Sequence, residues 1–316
     1  MVGELTAQET YLIDNAARAP AELPVDMSWL PVTQVSDALT YKDYTLIRTA
    51  PGAGSLMGET SYGVATAKAE TERNFISFRA HYLINKTELR MAQRSGYDII
   101  AMNSKMIRSN MQLQLAKLVL QGSDAEWRVN ISGMLDVGED VDATLDAVLW
   151  DTATKPLVHV AAGFSDLKAN YFAPPYDMIL SSNLQAGFLA LNNAANPRSH
   201  QEIAVATYLQ GGSVYFMDNG TSAFGAGGYK FLPLPAATTD DGVWLMFSNR
   251  NAMGEGNFFL AQVTNGIEVT TADRLDENNN YRIDFEWRGT PVFRGATVAT
   301  AGSAPYIVFE PDVDLA

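Results

Sequence analysis

The stretch FISFRAHYLINKTELRMAQRSGYDIIAMNSKMIRSNMQLQLAKLVLQG, residues 75–122, places a strand, a short helix and a long helix in immediate succession. From Phe75 to Leu83, Ile76, Phe78, Ala80 and Tyr82 alternate with Ser77, Arg79 and His81, the period of two that gives a strand one apolar face. Asn85 with Glu88 three residues on has the spacing at which side chain and backbone cap each other, and Ser95-Gly96 ends that helix. From Tyr97 to Gln121 there is no Gly or Pro, and Ile100, Ile107, Met111, Leu115 and Leu118 recur at steps of seven, four, four and three. That spacing predicts one helix of about 37 Å at ~1.5 Å per residue. Gly122 supplies its stop, and Lys105, Arg108 and Lys117 keep its other side wet.

Upstream, Tyr41 to Thr49 reads as a strand, followed by Pro51-Gly-Ala-Gly-Ser-Leu-Met-Gly58 and a polar stretch reaching Arg73. The strands at Tyr41–Thr49 and Phe75–Leu83 are expected to form the two sides of a long loop. Two strands alone are not stable in water, so such a loop must lie on something. The first forty residues carry one capping-box signal, Thr6 with Glu9, ahead of Leu12, Ile13 and Ala16, and are then broken by Pro20, Pro24 and Pro31. With so little to build a core, they read as an arm along another surface.

Downstream the elements alternate. Val141 to Thr152 has a helical pattern through Leu145, Val148 and Leu149, and Tyr176 to Leu180 reads as a buried strand after Pro174-Pro175. Ser182 is placed to cap a short helix ending at Leu189, and Gln201 to Leu209 reads as another helix. Strands are expected at Ser213–Met217 and Gly242–Ser248, on either side of a Gly-rich loop at 220–229. In Tyr281–Arg288 the residues at 281, 283, 285 and 287 are apolar and those between are charged. Gly289-Thr-Pro291 is expected to turn the chain so that Val292–Val298 returns as the second strand of a hairpin. The fold class is α+β.

At 316 residues and 47% apolar content the chain is long enough for a sizeable core. No run approaches the roughly 20 apolar residues that cross a bilayer, and Glu4, Glu9 and Asp14 speak against a signal peptide; no membrane association is expected. Without cysteine there are no disulfides, thiol nucleophiles or thiolate metal sites. Lys and Arg total 22 against 36 Asp and Glu, a formal net charge of -14, which argues against binding nucleic acid by neutralising many phosphates.

This order of elements resembles the Hong Kong 97-type capsid fold, shared by the major capsid proteins of tailed viruses and by encapsulin shells. The resemblance rests on Phe75–Gly122, Tyr176–Leu189 and Tyr281–Thr300. It implies an N-terminal arm (1–40), an extended two-stranded loop (41–84), a peripheral domain (85–140) with the spine helix at 97–121, an axial domain (141–266) and closing peripheral strands (267–316). It also implies self-assembly through pentamers and hexamers into an icosahedral shell enclosing double-stranded DNA, in a virion assembled in the host cytoplasm. Scaffolding, portal and decoration proteins are the further partners it implies. An encapsulin compartment shares the same fold. A soluble α+β enzyme or binding module would instead need a concave polar site.

No catalytic, cofactor or metal site is expected. His81, His159 and His200 each stand alone, without a Gly-x-Ser-x-Gly pattern nearby, and read as surface or hydrogen-bonded core residues. Pro51–Gly58 lacks the Lys-Ser/Thr of a phosphate loop, and Gly225-Ala-Gly-Gly-Tyr229 reads as a loop. Asp273, Asp276 and Glu277 before Asn278–Asn280 lack the glycine and terminal glutamate of a calcium loop. Lys105, Arg108 and Lys117 read either as a solvated helix face or, through the resemblance, as residues facing packaged DNA. Lys68 lies in the loop that one lineage of the fold crosslinks to a neighbour's Asn, but no local pattern identifies a partner for it.

Overall fold

The computed structural model describes residues 11, 16–18, 27–36, 40–48, 66–85, 87, 88, 90, 99–122, 131–140, 150, 155–169, 172–193, 196–217, 242–248, 258–271, 280–293 and 307–313. In chain order the strands are β1 (Val32–Gln34), β2 (Thr40–Arg48), β3 (Thr66–Asn74), β4 (Ile76–Asn85), β5 (Glu139–Asp140), β6 (Tyr176–Ser181) and β7 (Leu191–Asn193). They continue as β8 (Asn196–Ser199), β9 (Val214–Met217), β10 (Gly242–Ser248), β11 (Phe258–Gln262), β12 (Glu268–Thr271), β13 (Asn280–Phe293) and β14 (Ile307–Val313). The helices are α1 (Ile99–Gln121), α2 (Met134–Val137), α3 (Lys155–Ala169), α4 (Gln185–Leu189) and α5 (His200–Ala204).

The first sheet is built around β13, whose alternation buries Tyr281, Ile283, Phe285 and Trp287. β4 runs antiparallel along one side, from Asn280↔Asn85 to Gly289↔Ile76. β12 and β11 share the other side, and β1 adds in parallel to β11. The apolar residues of β4 fall opposite those of β13, and Phe78 stacks on Trp287 with ring centroids 5.4 Å apart. The face formed by Ile76, Phe78, Ala80 and Tyr82 is therefore part of the subunit's own core.

The spine helix is present as α1, helical throughout its described residues from Ile99, and it ends where Gly122 adopts φ 80°. Of its predicted stripe, Ile100, Met111 and Leu118 are buried, while Ile107 and Leu115 are half-buried against the same core. Toward its C-terminal end Leu113, Ala116, Val119 and Leu120 are buried as well, so burial there spreads beyond one stripe. The Asn85 cap forms: the Asn85 N–H donates to Glu88 Oε2 at 3.2 Å and the Thr87 N–H to Asn85 Oδ1 at 2.8 Å.

The second sheet has the order β5-β14-β10-β6-β9. Its centre, β10, is apolar without alternation, and Val243 to Phe247 are all at most 1% exposed, as in a strand covered on both faces. α3 packs across β10 and β14, with His159 and Trp244 at the contact.

Several expectations are corrected. The partner of β2 is β3, from Thr40↔Asn74 to Arg48↔Thr66, and not the strand starting at Phe75, which belongs to the first sheet. Gly289-Thr-Pro291 does not turn the chain; it continues as β13 to Phe293. Proline is tolerated because the Leu260 N–H, opposite it in β11, donates outward to Pro31 O at 2.8 Å. Pro291 N therefore also points away from β11, past the end of β4, where no ladder bond is lost. Gly289 is in the strand because a Cβ there would lie 2.6 Å from the Trp287 ring and 2.7 Å from the Ala261 carbonyl. Ser182 is not the cap of the helix toward Leu189: it opens a 3-10 turn, Ser182–Leu184, whose N-cap position is Ser181. The Ser181 hydroxyl instead accepts from the Val243 N–H at 3.0 Å, tying β6 to β10.

The end of the N-terminal segment is also more than an arm. Trp29 and Leu30 are buried, and the Trp29 ring lies 5.7 Å from Phe247 of the second sheet and 6.2 Å from Phe258 of the first. Sheet membership crosses the expected segment boundaries too. β11, within 141–266, joins the first sheet, whereas β14, within 267–316, joins the second, because Ile307, Val308 and Phe309 pair with the apolar run Phe247, Met246 and Leu245. The signals at 6–9, 51–58, 225–229 and 273–279 lie outside the described residues, as does all of the helix expected at 141–152 except Trp150.

Candidate assembly surfaces

β2 and β3 form a nine-pair antiparallel ribbon, about 30 Å long at ~3.3 Å per residue, with no third strand among the described residues. At its root only Phe75 separates β3 from β4. There Arg73 Nη2 donates to Phe293 O at 2.7 Å, which fixes the ribbon to the end of β13. The ribbon thus leaves the first sheet from an anchored base. A two-stranded ribbon of this length is stabilised by docking against another surface.

A second surface lies on the second sheet's side of the molecule, where α4 runs into the β7–β8 hairpin. Leu189 is 45% and Leu191 63% exposed, beside exposed Pro197 and Arg198. Underneath, the structure is firmly made. Ser199 and Glu202 form a capping box, with the Glu202 N–H donating to Ser199 Oγ at 3.2 Å and the Ser199 N–H to Glu202 Oε2 at 3.1 Å. The S-x-x-E spacing at 199–202 was available in the sequence and places the helix start one residue before the predicted Gln201. α3 was likewise readable, since Leu157, Val160, Phe164 and Leu167 are spaced three, four and three apart, with Pro156 in the first turn.

The histidines fall on three different elements. His81 is exposed on β4, opposite Asp284 of β13. His159 is fully buried in α3, where its Nδ1 accepts from Trp244 Nε1–H at 3.2 Å and its ring sits between Trp150 and Trp244. His200, 2% exposed, donates its main-chain N–H to Ala190 O at 3.1 Å; its Nδ1 has no hydrogen-bond partner, and burial holds its pKa below the usual imidazole value. Among the described residues no three His, Asp or Glu side chains gather as metal ligands would.

The three basic residues of the spine helix separate in role. Lys105 is exposed. Arg108 is half-buried and donates from Nη1 to Arg18 O at 3.2 Å, so it holds the N-terminal segment. Lys117 is half-buried near the crowded end of α1. Lys68 pairs through its backbone with Leu46 in the ribbon.

No protein-family model and no curated protein sequence matches this chain. Solved structures do. The capsid of Myoviridae phage XM1 superposes with a TM-score of 0.61 at 11% identity, covering 98% of this chain and 99% of that one. A chain of Microbacterium phage Oxtober96 gives 0.62 at 12% identity, covering 94% and 93%. A virus-like particle from Pyrococcus furiosus gives 0.56 at 10% identity, covering 96% and 98%. At these identities what is shared is the fold, and the chain has the Hong Kong 97-type capsid fold.

Proposed function

We propose that this chain is the major capsid protein of a tailed virus, a structural protein and not an enzyme, that assembles with copies of itself into an icosahedral shell. The observation that carries this reading is the end-to-end likeness to a phage capsid subunit, 98% of one chain on 99% of the other, with no large insertion to house a separate activity. The ribbon supports it independently, because a long two-stranded ladder rooted at Arg73 gains stability by docking on another molecule.

In this reading the first sheet with α1 is the peripheral part and the second sheet with α3 the axial part. Copies meet around pentamer and hexamer centres, the exposed Leu189 and Leu191 surface contributes to contacts between neighbours, and the ribbon crosses an adjacent subunit. The shell encloses double-stranded DNA without reading its sequence, consistent with a net charge of -14. Scaffolding, portal and decoration proteins are its further partners, and assembly takes place in the host cytoplasm. No cofactor enters.

The test is negative-stain electron microscopy of the purified protein together with its absorbance ratio at 260 and 280 nm. Closed polyhedral particles carrying nucleic acid are expected from infected or induced cells. Particles filled with protein cargo and free of nucleic acid would move the function to an encapsulin-type compartment, and monomers that never assemble at any salt concentration would overturn the shell reading.

A further inference from the structure

We propose that the outer edge of β4 is a strand-addition site, and that it takes β3 of the ribbon from a second copy, so that the first sheet continues across two subunits. The inference rests on the shell reading above and names the surface on which the ribbon docks. Among the described residues β4 pairs with β13 alone. The ladder itself fixes which of its main-chain groups look outward. The Leu260 N–H of β11 donates away from β13, to Pro31 O at 2.8 Å, so Pro291 opposite it turns its own main-chain groups to the side of β13 on which β4 lies. Alternation then directs Gly289, Trp287, Phe285, Ile283 and Tyr281 at β4, where Ile76, Phe78, Ala80, Tyr82 and Ile84 are their partners. Ser77, Arg79, His81 and Leu83 therefore present their N–H and C=O groups to the open side. Asn85, next in that series, has the same phase: its N–H leaves the ladder and donates to Glu88 Oε2 at 3.2 Å.

This edge lacks the devices that keep exposed strands from pairing. The register with β13 runs from Asn85 to Ile76 without a bulge, and β4 contains no proline and no lysine. Its one arginine, Arg79, is drawn across the sheet to Glu286 at 2.7 Å. Ser77, Arg79, His81 and Leu83 are all exposed. The apolar side of the strand is unfinished as well. Tyr281, Ile283, Phe285 and Trp287 of β13 are at most 2% exposed, whereas Ile76, Phe78, Ala80 and Tyr82 of β4 are only half-buried, although they pack against the same core. One further strand would cover that flank and bond the outward main-chain groups together.

β3 fits this place by length, by sequence and by connectivity. Its nine residues are enough to cover Ser77–Leu83. A strand added to β4 must continue its alternation, uncharged toward the core and polar outward. From Ala67 to Glu72 the sequence alternates Ala67, Ala69 and Thr71 with Lys68, Glu70 and Glu72. β2 does not separate in that way, since Tyr44 and Leu46 fall in the same alternate set as Lys42 and Arg48. Among the described strands β3 pairs with β2 alone. The copy that supplies it must be a different one, because only Phe75 lies between β3 and β4. A strand folds back antiparallel through about two residues or more, and a parallel return takes about a dozen.

Hydrogen exchange resolved to single amides separates edge addition from docking on a face, because strand addition protects alternate residues. In the unassembled subunit Phe78, Ala80, Tyr82 and Ile84 are expected to be protected, while Ser77, Arg79, His81 and Leu83 exchange fast. In shells the second set should slow by about tenfold or more. Shells in which those amides stay fast would overturn the site alone; protein that never assembles would overturn it together with the shell reading. His81→Pro removes one outward donor and no bond to β13. It should leave the melting of the unassembled subunit nearly unchanged and lower the denaturant midpoint at which shells dissociate; shells of parental stability would overturn the site. The occupant is read by a photocrosslinking residue at position 81, in shells grown from mixed isotopically labelled and unlabelled subunits. It should capture residues 66–74 of another copy. Crosslinks confined to one copy, or to any other segment, would overturn the assignment of β3.

Discussion

Trp29 ties the two sheets together. Its indole, 4% exposed, touches Phe247 and Phe258, and those two rings meet each other edge to face at 5.1 Å. Replacing it with alanine removes a large buried ring from a junction that neither sheet can collapse to fill. Trp29→Ala should cost about 3–5 kcal/mol in chemical denaturation, the range for large aromatic truncations in cores; a loss below about 1 kcal/mol would mean that the two sheets hold without it. Asp177 shows the opposite case, a residue that works against stability. Burial raises its carboxyl pKa above the usual value, and the Ser213 N–H, donating to Oδ1 at 2.8 Å, offsets this only in part. The folded protein therefore binds this proton more tightly than the unfolded chain. The resulting penalty sets in as pH rises from 3.8 through the folded pKa and persists at neutral pH. Asp177→Asn keeps an oxygen for Ser213 and removes the charge, so its melting temperature at pH 7 should match or exceed that of the parent. A clear fall would show that the charged bond to Ser213 outweighs the burial.

Elements were legible where one periodicity dominated, as in the spine helix, the alternating half of β13 and the uninterrupted apolar run of β10. They were lost where local chemistry pointed one way and tertiary pairing the other. Gly289-Thr-Pro291 has turn composition, but the close approach of Trp287 and Ala261 requires the glycine, and the proline's missing donor falls beyond the end of β4. β3 was missed because Lys68, Glu70, Glu72 and Arg73 leave its sequence without an apolar alternation, and among the described strands it pairs with β2 alone. The corner made by β7, β8 and α5 carries a pH dependence of its own. His200 sits buried at the first turn of α5, where a proton would meet both desolvation and the positive end of the helix. With its folded pKa below the unfolded value, the native state resists the proton that the unfolded chain takes up, so stability is full above about pH 6.5 and falls as pH drops below it. Amide protection across Leu191–Ser199, corrected for intrinsic rates, should fall between pH 7 and 5, and His200→Phe should flatten that response. An unchanged pH response in the variant would place the sensitivity elsewhere.

At the scale of the whole molecule, the order of elements was readable but the division into parts was not. Sequence order assigns contiguous segments, whereas β11 and β14 cross between sheets and Trp29 bridges them, so one cluster of buried side chains runs through both. The assembly surfaces were legible only in part. A loop needing a surface to lie on was expected, but the strand from Phe75 placed in it packs its apolar face in the subunit's own core, and the Leu189–Leu191 corner gave no sequence signal. These facts make the ribbon separable from the subunit it leaves. Replacing residues 44–70 with an Asn-Gly turn keeps the four ladder pairs from Thr40↔Asn74 to Asp43↔Thr71, keeps the Arg73 bond to Phe293, and leaves every described residue of the core cluster in place. The shortened chain should therefore melt within a few degrees of the parent's unassembled subunit. If the ribbon is the part that docks on a neighbour, the same chain should no longer close into shells under conditions where the parent does. Closed particles of ordinary stability from the shortened chain would show that the ribbon is dispensable, and would leave the Leu189–Leu191 surface as the principal candidate for holding neighbours together.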